Sequence, residues 1–167
     1  MPGLSSDIQG FWSLWRIALI TPDWNRQRMM PLFLADNGRV FIPTARFIWD
    51  QVMTATPQMR GHLMPDDAGD AYPRLRQAAE QHGKPLFHEL LRMHREMLQQ
   101  EREKAEYAFA ARRKAIERVG LPQVRAHRLQ RLAQEEQEFW AELARREQIL
   151  PELTPLILLF VQGADHV

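Results

Sequence analysis

Seven basic side chains, Arg112, Arg113, Lys114, Arg118, Arg125, Arg128 and Arg131, fall in a stretch that holds one acidic group, Glu117. Its formal charge is therefore +6, where the whole 167-residue chain carries +1. Six of the seven are arginine, whose planar guanidinium bonds two phosphate or carboxylate oxygens at once, while a lysine offers a point charge. Such a cluster can neutralise the phosphates of a DNA or RNA backbone and release their counterions, or meet an acidic protein surface. A second reading stays open beside it: Glu135, Glu136, Glu138 and Glu142 follow, and on paired helices the arginines can spend their charge on these carboxylates and only solvate a coiled coil.

Other chemistry is poorly represented. His62, His82, His88, His94 and His127 are scattered; His88 and His94, six apart, fall on different faces of a helix, and the i, i+4 pair of helical zinc proteases is missing. Asp66, Asp67 and Asp70 sit among glycines and prolines without calcium-loop spacing. The three serines, Ser5, Ser6 and Ser13, lie in no nucleophile elbow, and there is no GxxxxGK[ST] or GxGxxG phosphate loop. With no cysteine, disulfides, zinc ribbons and thiol catalysis are excluded together. The expectation is a protein that is not an enzyme and uses no metal and no cofactor. Of the tryptophans, Trp12, Trp15 and Trp49 read as core; Trp24, in the turn Thr21-Pro22-Asp23-Trp24-Asn25, is a candidate protein contact.

The elements that position these residues follow from periodicity. Phe11 to Ile20 is apolar on both alternating faces, as a central strand is. Arg28 to Ala35 reads as a second strand, at an edge because Pro31 donates no ladder bond. Asp36-Asn37-Gly38 then turns the chain into a third strand, Arg39 to Ile42. Ala45, Ile48, Trp49 and Val52 form a helical stripe with Thr44 as its N-cap. Thr54 to Tyr72 lacks periodicity, and Pro73 to His82 reads as a short helix stopped by Gly83. Two long helices follow, about 86–119 and 123–149. Leu129, Leu132, Phe139, Leu143 and Leu150 lie at heptad sites of the second, which Glu136 and Arg146 interrupt. The short Gly120-Leu121-Pro122 break forces them into an antiparallel hairpin. Leu156 to Val161 is a last strand that needs the first sheet as its partner.

The expected fold is therefore α+β: a small antiparallel sheet with short helices and a long antiparallel coiled-coil hairpin inserted before the last strand. Residues 1–55 with 151–167 would form the sheet domain, 56–85 a linker and short helix, and 86–150 the arm. No apolar run approaches the roughly 18 residues of a membrane span, and MPGLSSDIQG lacks a signal-peptide pattern, so a cytoplasmic protein without membrane contact is expected.

This order of elements, with the ending Leu150-Pro151-Glu152-Leu153-Thr154-Pro155-Leu156-Ile157-Leu158-Leu159-Phe160-Val161 and the segment Met30 to Val40 followed by Pro43-Thr44-Ala45, resembles the C-terminal region of bacterial Swi/Snf-type helicases. That group includes the RNA-polymerase-associated ATPase and the helicases of DISARM-type anti-phage systems. The resemblance spans residues 11 to 162. It implies an accessory module in antiviral defence or another nucleic-acid-processing system, working beside a helicase or ATPase subunit and contacting nucleic acid or protein. The ATPase motifs belong to other parts of such helicases, and no residue here matches them. The alternative is a structural protein that oligomerises through its long helices.

Overall fold

Apolar residues on both faces put the first strand in the middle of the sheet, and the structure has it there. The computed structural model describes residues 1, 3–22, 25–54, 61–62 and 64–164. Its elements run β1 (Gln9–Ile20), β2 (Asn25–Ala35), α1 (Ile42–Thr54), α2 (Pro65–Ala68), α3 (Ala71–Glu117), α4 (Pro122–Arg146) and β3 (Leu150–Gln162). The strands form one antiparallel sheet in the order β2-β1-β3, so the last strand pairs beside the first, with the long helices inserted before it. Backbone bonds from Asp36 N to Gln9 O and from Gly163 N to Ile8 O set the register of the two outer strands on β1. Both outer strands hold prolines, Pro31 in β2 and Pro151 and Pro155 in β3, which an edge position tolerates.

The chain divides into two compact units: Met1–Ala18 with Gln27–Phe87 and Pro151–Val167, and Leu19–Arg26 with His88–Leu150. In the first, the sheet is covered on both faces. Trp12, Leu14, Phe33 and Val161 bury one face against Ala45 and Ile48 of α1. There the Trp12 indole N–H donates to the Ala45 carbonyl at 2.9 Å, so a large ring is buried without an orphan donor. Trp49 stacks on the same indole at 6.2 Å. On the other face Trp15 stacks on Tyr72, 6.0 Å away at the start of α3, and Leu75, Ala78 and Ala79 of that helix are buried. Among the described residues no helix is long and apolar enough to cross a membrane.

The structure differs from the sequence reading in four local details. The expected third strand shrinks to a single bridge, Leu34 with Val40. The turn before it forms: Gly38 has φ +79°, and Asn37 Oδ1 accepts from Arg39 N at 3.0 Å. The helix then starts early, because Pro43 is one of the first residues of α1, where a missing N–H costs nothing. Ala45 N already donates to Phe41 O, so the helix begins ahead of Thr44 and Thr44 is not its N-cap.

The second difference is α3, which runs 47 residues through both Gly83 and Pro85. At Gly83 a Cβ would stand 3.3 Å from Ile17 Cδ1; the glycine lets the helix lie close on the sheet instead of ending it. Pro85 costs one helical bond, a penalty of about 3 kcal/mol in an isolated helix, and packing of the flanking turns outweighs it. Third, α4 ends at Arg146, and Leu150 is exposed as the first residue of β3 and takes no part in the helix seam. Fourth, and for the same reason, β3 is longer than Leu156 to Val161.

Candidate nucleic-acid interface

Within the second unit, the C-terminal half of α3 and all of α4 pack as an antiparallel hairpin. Its apolar seam is narrow: Leu98, Phe109, Leu132 and Leu143 are buried, and Phe109 meets Phe139 edge-on at 5.8 Å. Flanking that seam, charges pair across the two helices. Arg146 grips Glu101 through both carboxylate oxygens, at 2.6 and 3.0 Å, and Arg102 reaches Glu147 at 2.8 Å. Nearer the turn, Arg112 reaches Glu135 and Arg113 reaches Glu136, each at 2.6 Å. Glu136 and Arg146, which interrupt the heptads, are thus partners in cross-helix ion pairs. Arg131 adds a 3.3 Å contact to Glu135 from its own helix. The Arg112 hydrogen bond, with the Arg112 and Arg131 charges behind it, holds the Glu135 carboxyl below its ordinary pKa.

The pairing stops at Arg113 on α3 and at Arg131 on α4. Beyond that line Lys114, Arg118 and Arg128 are exposed and Arg125 is half-buried, and among the described residues none of the four is in an ion pair. The seven candidate residues therefore divide. Arg112, Arg113 and Arg131 serve the stem, while Lys114, Arg118, Arg125 and Arg128 surround the turn between the helices, with Glu117 the one acidic group among them. Trp24, the candidate protein contact, lies outside the described residues.

Three features of the hairpin escaped the sequence reading. Leu121 is the N-cap residue of α4, in extended backbone (φ −85°, ψ 111°), with no side-chain cap bond; the type-against-position mismatch was visible, since N-caps favour Ser, Thr, Asp and Asn. Tyr107 is 80% exposed on α3, two turns before Lys114 on the same side of the helix. His94 is 98% buried; its spacing from Leu91 and Leu98 puts it on the apolar stripe, which was the available signal. Its Nε2 lies 2.9 Å from the Arg146 carbonyl, which can only accept, so Nε2 carries the proton. Nδ1 is buried without a partner. The ring borders a groove of about 410 Å³ shared with Arg95, Gln99, Arg102 and Glu147.

Compared with protein-family models, curated proteins and solved structures, the chain finds no match. The geometry must speak for itself. Among the described residues no three His, Asp or Glu side chains are placed to hold a metal ion. What the hairpin end does offer is a cluster of four basic side chains on two helices that, among the described residues, no carboxylate of the protein pairs with.

Proposed function

We propose that this protein is a non-enzymatic accessory module of a helicase-like nucleic-acid-processing system, working in the cytoplasm beside a helicase or ATPase subunit. Its contact is the basic end of the helical hairpin, laid on the phosphate backbone of DNA or RNA. The observation that carries this reading is the division of the arginines. The stem provides a carboxylate for Arg112, Arg113 and Arg131, whereas Lys114, Arg118, Arg125 and Arg128 keep their charge for an external anion. The likeness to Swi/Snf-type helicase tails supports the setting, in anti-phage defence or elsewhere.

Fluorescence anisotropy with labelled DNA and RNA over a series of NaCl concentrations tests it. Four phosphate contacts give a slope of log Kobs against log[salt] of about −3.6 on duplex DNA. Reversing all four (K114E, R118E, R125E, R128E) abolishes binding and leaves the helical circular dichroism and melting temperature in place. No binding at low salt, or unchanged binding by the reversed protein, defeats the proposal. An acidic protein surface is the other anion with the same chemistry. Assembly through the long helices has less support, because the apolar stripe of α4 is already packed on α3 of its own chain.

A further inference from the structure

The hairpin end carries an apolar feature that charge alone does not explain. Leu121 is 66% exposed and Val124, three residues on, is 37% exposed. One exposed leucine is ordinary. This one occupies the N-cap of a 25-residue helix, where a serine or aspartate would satisfy the first N–H groups and leucine satisfies none. It also stands in the turn that Lys114, Arg118, Arg125 and Arg128 flank. Local stability is given up there for an aliphatic side chain held in water, ringed by unpaired cations.

Size limits what such an end can enter. Two helices packed 8–10 Å apart, each about 10 Å across with side chains, make a rod roughly 20 Å wide. The major groove of DNA is about 12 Å wide and the minor groove about 6 Å. Neither admits the rod across its full width, and when the rod stands end-on it is the side chains at its tip that meet the bases. Leucine has no hydrogen-bonding group with which to read a major-groove edge. A narrow minor groove, in contrast, draws arginine by its negative potential, and leucine is among the residues that wedge between base steps from that side. Residues 114–128 contain no Phe, Tyr or Trp, the large rings on which successive bases of a single strand stack, and His127 alone supplies an imidazole. The same lack of interfacial aromatic anchors, with only Leu121 and Val124 as exposed large aliphatic side chains, makes a poor membrane-inserting surface.

Resting on the nucleic-acid reading above, we infer that the hairpin end is a wedge for duplex DNA. Leu121 enters the minor groove and unstacks a base step, Val124 supports it at the groove lip, and Lys114, Arg118, Arg125 and Arg128 hold the flanking phosphates. The cations supply affinity and its salt dependence; the leucine supplies the deformation.

The test uses the full chain and a DNA duplex carrying 2-aminopurine, whose fluorescence rises when it unstacks, with anisotropy read on the same samples. Wild-type protein raises the fluorescence on binding. Leu121→Ser, an exposed change that leaves the fold intact by circular dichroism, binds with the same salt slope but loses the rise; Leu121→Met restores it. Binding with no fluorescence change in the wild type, or an equal rise with Leu121→Ser, overturns the wedge and leaves the backbone contact standing. Tighter binding to single strands than to duplex also overturns it, as does binding to vesicles of phosphatidylserine and phosphatidylcholine but not to DNA. Absence of binding to any nucleic acid is a different result, and it removes the proposed function as well.

Discussion

The sheet unit and the hairpin unit are held together by different chemistry. The first buries Trp12, Trp15, Phe33, Leu32 and Ile48 almost completely and ties the buried Trp12 indole nitrogen to backbone. The second has a stripe one or two side chains wide, edged by half-exposed ion pairs such as Arg113 with Glu136. Exposed pairs contribute little energy; what they supply is register, since each fixes one position of α3 opposite one of α4. The difference teaches how to read charge in a helical rod. Arginines that find a carboxylate across the seam are structural, and those past the last cross-helix pair have no ion-pair partner among the described residues.

The largest expected effect belongs to the sheet unit. Phe33→Ala removes a fully buried ring of β2 from the core that the sheet forms with α1 and costs about 3–5 kcal/mol, read as a shift in the urea midpoint. Leu132→Ala, equally buried but flanked by half-exposed Glu135 and Glu136, sits where neighbours can collapse into the space, and costs nearer 2 kcal/mol. Equal losses would erase the contrast between a broad core and a narrow seam.

A smaller effect sharpens the register argument. Arg146 and Glu101 form a two-bond pair whose side chains are 23% and 35% exposed. A double-mutant cycle with Arg146→Ala and Glu101→Ala should give a coupling of roughly 0.5–1 kcal/mol that shrinks in 1 M salt. A coupling near zero at low salt would mean the pair does not lock the helices.

How much of this was legible depended on range. The central strand, the edge position of Pro31 and the helical hairpin were readable because each is written in a local pattern: two apolar faces, a missing donor, a short break between long periodic runs. Gly83 misled because its usual effect is local, whereas its fit against Ile17 is tertiary. The basic cluster was visible as composition. Its division into stem and end was not, because which arginine meets which glutamate depends on the register that Phe109 and Phe139 set, a contact thirty residues apart. Leu121 could have been noticed; a hydrophobic N-cap between Gly120 and Pro122 breaks a local rule, and such breaks concentrate at functional sites.

The smallest effect compares one carboxylate from each unit. The Thr154 hydroxyl first, and then Arg16, hold the Glu152 carboxyl below its ordinary pKa; the Arg112 hydrogen bond does the same for Glu135. A group whose pKa is lower folded than unfolded stabilises the fold in its ionised form. Its contribution is complete above the unfolded value, near 4.5 for both, and disappears as the pH falls through the lower folded value. Acid should therefore weaken both units below about pH 4.5, modestly, because both carboxylates are solvent-exposed and screened. Carboxyl NMR titration checks this pair by pair. Arg112→Ala should return Glu135 toward its ordinary pKa and leave Glu152 unmoved, while Arg16→Ala should move Glu152 only part of the way, since the Thr154 hydroxyl remains. A Glu135 that already titrates normally in the wild-type protein would mean Arg112 is not committed to the stem, and the boundary between structural and available arginines would shift by one turn toward the sheet.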